Sequence, residues 1–171
     1  MRSKFAAAAA AFTAALCTAS AGPAPARAAP ADYSDTAPPS GPMGSIGALK
    51  DSAFFIGMSD QVRDGDSVRI TFLLIYSNDQ ASDGRVARLG VTYARIDCTA
   101  RTFQNGGGAI FNEDGRLITN APADTAAKPI VKDSARDAAA DIACEGAAPL
   151  FVAAGALDAL AQTRAKNGFP K

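Results

Sequence analysis

Between residues 52 and 119 apolar and polar side chains alternate with a period of two, punctuated by short polar turns; beyond residue 133 the period lengthens to that of a helix. The apolar run "SAFFIGM" (52–58) is predicted as the first strand. "SDQVRDGDS" (59–67) is polar and holds the turn pair Asp64-Gly65. In "SVRITFLLIYS" (67–77), Val68, Ile70, Phe72, Leu74 and Tyr76 share one face, while Leu73 and Ile75 lie on the other. That pattern predicts a central strand, covered on both sides at its end. "NDQASDG" (78–84) reads as a loop.

Residues 85–103, "RVARLGVTYARIDCTARTF", are predicted to form one long strand. Its apolar phase changes near Ala94-Arg95, from Leu89, Val91 and Tyr93 to Ile96 and Cys98, which predicts a bulge or bend. "QNGGG" (104–108) reads as a hairpin turn; "AIF" (109–111) and "RLIT" (116–119) read as short strands around Asp114-Gly115. After a loop at 120–129, "DSARDAAADIACEGA" (133–147) carries a helical stripe of Ala135, Ala138, Ala139 and Ile142. Ser134 and Asp137 have capping-box spacing and Gly146 is a stop signal. "GALDALAQTRAKNG" (155–168) predicts a second helix, with Leu157, Leu160, Ala161 and Arg164 in register. Strands followed by helices give the α+β class: a small antiparallel meander with a C-terminal helix packed on one face, plus an extra terminal helix.

The N-terminus changes the compartment. "MRSK", the apolar run at 5–17 and Ala26-Arg27-Ala28 have the layout of a cleaved secretory leader, predicted over 1–28. The apolar run is shorter than the roughly 20 residues that span a bilayer, and no other segment approaches that length, so no membrane span is expected. Leu16, immediately before Cys17, is too bulky for a lipidation site, so Cys17 leaves with the leader. Residues 29–47, rich in Pro, Gly, Ser and Ala, read as a flexible linker, and 48–168 as a single domain.

Removing residues 1–28 takes away Arg2, Lys4 and Arg27 and no acid, leaving a net charge of −3. Nucleic acid is therefore not an expected partner. Cys98 and Cys144 are the two cysteines that remain. In an exported chain such a pair is predicted to form a disulfide. Two thiols without a single histidine cannot complete a zinc site, and their spacing is not that of a C-x-x-C redox pair.

Catalytic signals are weak. Histidine is absent, there is no G-x-S-x-G, and the Gly106–Gly108 run lacks the Lys-Ser/Thr of a phosphate loop. "NEDG" (112–115) has Ile110 where a calcium loop needs its first ligand. The chain is therefore read as no enzyme, with no metal and no cofactor. Arg69, Arg88, Arg95 and Arg101 are predicted on strands, with Arg63 and Arg116 near strand ends. They read as a solvated sheet face whose stems cover apolar surface. A basic patch for an acidic host or polysaccharide ligand is the alternative.

"SDQVRDGDSVRI", "YARIDCTARTFQ" and "IVKDSARDAAADIAC", in that order, resemble the bacterial surface-adhesin protein E family over about residues 52–146. Asp60, Arg63, Gly65, Asp97, Cys98, Ser134 and Cys144 take the family's positions. The resemblance implies an antiparallel sheet with a helix tied to it by a disulfide. It also implies an exported protein of the periplasm, cell surface or extracellular space; some adhesins of this kind bind matrix proteins such as vitronectin and laminin. Three features depart from the pattern. Tryptophan is absent, with Phe54 or Phe55 in its place; the lipid-anchor cysteine is missing; and the helix after residue 150 is additional. The matching positions mark a scaffold rather than a ligand site. The expected partners are extracellular matrix or envelope proteins, and the alternative role is that of a structural or accessory periplasmic protein.

Overall fold

The two-residue alternation is realised in a computed structural model of the chain, which describes residues 37–82, 84–124 and 126–167. The predicted leader and the first part of the predicted linker lie outside the described residues. Nine antiparallel strands pair in one sheet among the described residues: β1 (Met43–Leu49), β2 (Ser52–Gly57), β3 (Val62–Asp64), β4 (Ser67–Ser82), β5 (Arg85–Asp97), β6 (Thr102–Phe111), β7 (Leu117–Ala121), β8 (Lys128–Pro129) and β9 (Val152–Ala153). The sheet order is β7-β6-β5-β4-β2-β1-β9, with β3 paired to β4 and β8 to β6. Helix α1 (Ala135–Ala140) runs directly into a π-helical turn, Asp141–Glu145, and α2 (Ala156–Asn167) closes the fold. From β8 the chain crosses to α1 and its π turn, then reaches the opposite edge, where β9 joins β1.

The two helices cover different faces of the sheet. Phe55, Leu73, Ile75, Leu89, Val91 and Phe111 point to one face, where Ala156, Ala159 and Leu160 of α2 pack on them. Ile56, Val68, Ile70, Phe72, Ile96 and Phe103 point to the other, under Ala139, Ala140, Ile142 and Ala143. A fully buried Phe, Leu or Ile contributes about 2 kcal/mol through burial alone. Edge-to-face ring pairs fix both cores, Phe55 with Phe151 at 5.7 Å and Phe72 with Phe103 at 6.0 Å. In α2 the buried face is Ala156, Ala159, Leu160 and Thr163, whereas Leu157, predicted on the packed stripe, is half-exposed.

This arrangement explains the phase change in β5. Pairing of β5 with β4 runs without a shift from Asp97 opposite Ser67 to Leu89 opposite Ile75. The strand does not turn over. Its first half is buried under α2 through odd positions and its second half under the other helix through even ones.

Several local expectations are corrected. Residues 43–47, predicted as linker, belong to β1, with Met43 buried; their small residues reflect close packing, since a Cβ at Gly44 would press on Met58 and Pro149. The loop predicted at 78–84 is strand as far as Ser82. The strand predicted at 85–103 is two strands joined by a turn at 98–101, where Arg101 adopts a positive φ of 49°. "QNGGG" is not a turn but the middle of β6. Thr92 pairs with Gly108 and Ala94 with Asn105, so β6 carries an extra residue opposite Tyr93. The bulge predicted near Ala94 thus lies on the neighbouring strand. Gly107 has a φ of 102°, and its N–H reaches the Asn105 side chain at 2.8 Å. Glycine is required next to it, because a Cβ at Gly108 would run into the Val91 carbonyl.

Replacing Gly108 by Ala forces β6 away from β5, and the expected cost is about 3 kcal/mol of unfolding free energy in a denaturant titration. A change within about 0.5 kcal/mol would show that the two strands do not approach this closely.

Candidate functional site

Helix α1 is held at both ends and along one face. Its start is Ser134, whose Oγ accepts the Asp137 N–H at 3.2 Å. Its π-helical end stops at Gly146, left-handed at φ 74°. Cys98, just after β5, is joined to Cys144 in the last helical turn, with Cα atoms 5.6 Å apart and a sequence separation of 46. Arg63 on β3 donates to the carbonyls of Ala143 (3.0 Å) and Cys144 (3.4 Å). These are carbonyls that a helix end leaves without intrahelical partners, at its partially negative pole.

Asp137, Asp141 and Glu145 recur every four residues and so lie on one helical face. All three reach Arg101: Asp137 through a close ion pair, Asp141 at 2.9 Å and Glu145 at 3.2 Å. Asp97 shapes the turn that presents Arg101, its Oδ1 accepting the Ala100 N–H at 2.7 Å. The Asp133 N–H and then the Arg101 guanidinium hold the Asp137 carboxyl below its ordinary range, while Asp141 and Asp137 hold Arg101 above its own. Arg101, predicted on a strand, is therefore a turn residue that grips a helix.

The remaining matching positions support the same assembly. The Asp60 carboxylate takes the hydroxyl of buried Thr71 and fills the space beside Gly57. Gly65, at φ 59°, turns β3 into β4. The family-matching positions thus converge on scaffold assembly and none of them lines the arginine-bearing cleft, whereas Arg88 and Arg116, read from sequence as a candidate basic patch, both do.

That cleft, of about 470 Å³, opens at the other end of β5. Arg85 and Arg88 enter it from the start of β5, Glu113 and Arg116 from the β6–β7 turn, and Ile118 from β7. The turn is stiffened by Asn112, whose side-chain oxygen accepts the N–H groups of Asp114 (3.1 Å) and Arg116 (2.8 Å). Arg85 donates to the Ile118 carbonyl at 2.8 Å. Arg88 is only 8 % exposed, which corrects its reading as a solvated residue. Glu113 is bound by Arg164 of α2 at 2.9 Å. Arg85 and the cleft as a whole carry no sequence motif; they become visible only once the β6–β7 turn is folded against β5.

Among the described residues no group of three or more acidic or cysteine side chains is placed to hold a metal, and no helix is long and apolar enough to cross a membrane. The fold defines a class: a small antiparallel sheet carrying a disulfide-tied helix on one face and a second helix on the other. The family profile of surface-adhesin protein E matches residues 43–145, and the chain belongs to that family. No curated protein and no solved structure matches the chain.

Two outcomes are expected of the helix attachment. Closing a 46-residue loop lowers the entropy of the unfolded chain by about 4 kcal/mol. Cys144→Ser should therefore lower Tm by about 10 °C under oxidising conditions, and an unchanged melt would contradict the attachment. The second concerns pH. A carboxylate whose folded pKa is depressed adds stability that is complete above its unfolded value of about 4 and is lost as pH falls through the lower folded value. Wild-type Tm should accordingly fall in that acid window, and Asp137→Asn should show a smaller fall; parallel profiles would contradict the Arg101 contact.

Proposed function

We propose that this chain is an exported, non-enzymatic binding protein of the bacterial envelope or surface, with protein or matrix components as its ligands. The observation that carries this reading is family membership across residues 43–145, which takes in β1 to the π-helical turn. Three further features support it. The N-terminus has a leader's layout, Cys98 and Cys144 are joined as suits an oxidising compartment, and histidine, the commonest general base, is absent.

Protease treatment of intact cells tests the surface role. Peptides from 52–146 should be released from unbroken cells, and the intact mass of the envelope protein should start near residue 29. Peptides released only after the outer membrane is permeabilised would overturn the surface role in favour of an accessory periplasmic protein. An uncut N-terminus would overturn export itself.

A further inference from the structure

We propose that the arginine cleft is a recognition site for sulfate-bearing sugar residues of an acidic polysaccharide. The inference builds on the binding role proposed above by giving one surface a ligand chemistry. Its basis is a concentration of positive charge against the balance of the chain. The full sequence has as many acids as bases, yet three guanidiniums line this one cleft. The described lining holds a single carboxylate, Glu113, and Arg164 already binds it. The negative charge of Glu113 is therefore offset from outside the cleft.

Two of the guanidiniums are set in place rather than trailing in solvent, and the backbone of the third is fixed. Arg88 is buried to 8 % exposure, and Arg85 is tied to the Ile118 carbonyl. Arg116 is exposed and follows directly from a turn that Asn112 holds by two hydrogen bonds. A planar guanidinium meets a tetrahedral or planar oxyanion with two parallel N–H donors, which favours sulfate or carboxylate groups over neutral ones.

The volume, about 470 Å³, falls within the usual range for small-molecule sites. Arginines on separate walls require several anionic groups at fixed spacing. A sulfated sugar offers them on a rigid ring, with less ordering entropy to lose than a flexible acidic peptide. Half-exposed Val86 adds an apolar lip for the ring's C–H face.

The test uses the oxidised chain from residue 29. It is titrated by calorimetry with inorganic sulfate, with a sulfated heparin-type tetrasaccharide and with a glutamate peptide of equal charge, while backbone amides of 85–88 and 112–118 are followed by NMR. The tetrasaccharide should bind more tightly than both other probes, with amide shifts confined to those segments and affinity falling as salt rises. Arg116→Glu should weaken tetrasaccharide binding by about tenfold or more, while Lys50→Glu, at the β1–β2 turn outside the cleft lining, should change it far less. Glu113→Gln, which removes the acid from the rim, should tighten it. This opposite sign keeps the test decisive if Arg116→Glu folds poorly. Equal binding of the glutamate peptide, equal losses in Arg116→Glu and Lys50→Glu, or no binding of the tetrasaccharide would each overturn the proposal. Because the measurement uses purified protein, a negative result leaves the surface role standing, and loss of the surface role leaves this result standing.

Discussion

The rest of the structure depends on how helix α1 is fixed to the turn that follows β5. An Ala-rich helix of a turn and a half, extended by one π-helical turn, would not be stable alone; isolated helices shorter than about 12–15 residues are marginal in water. Tertiary attachment makes up the difference. The Cys98–Cys144 bond ties it covalently, Arg63 takes up carbonyls at its end, and Arg101 draws in three acids from its exposed face. Two of those acids, Asp141 and Glu145, sit at the helix's negative pole, where they are unfavourable without a nearby cation. Arg63 and Arg101 are those cations, the first presented from β3 and the second from the turn after β5.

Fixing α1 on one face also determines the other. Because β4 and β5 pair without a shift through the middle of the sheet, the side chains covered by α1 and those covered by α2 occupy successive halves of the same two strands. Displacing either helix exposes one half of strands whose other half the second helix covers. The close β5–β6 approach at Gly108 holds the next strand in the same plane. At about 3.4 Å per residue, β5 extends about 40 Å from the arginine cleft at its start to the disulfide at its end. The cleft is thus carried on a rigid strand whose far end is fastened, an arrangement suited to presenting charged side chains at set spacing.

Much of this was legible in the chain. The α+β class, the central strand with two apolar faces, the Ser134 cap, the Gly146 stop and the Cys98–Cys144 pairing all follow from local chemistry, and the structure shows each of them. The errors share a cause. Small residues in β1 and β6 look like linker and turn from sequence, because composition cannot distinguish freedom from crowding; only the positions of Pro149 and Val91 reveal that glycine is there for lack of room. The phase change in β5 looked like a bend because periodicity records burial, and burial here switches faces with the covering helix. Arg101 looked like a strand residue because nothing local marks its left-handed conformation. The cleft was illegible because its walls come from separate elements brought together only by folding.

The most direct measure of the central claim is native-state amide hydrogen exchange on the oxidised and reduced protein. Reduction should accelerate exchange selectively at the helical amides of Ala138 and Gly146 and at the amides of Cys98 and Ile130 beside the turn. Phe72, Leu73 and Val91, in the middle of the sheet, should remain the slowest in both states. Uniform acceleration across the sheet, or unchanged exchange in the helix, would contradict the view that the helix is held from the β5–β6 turn.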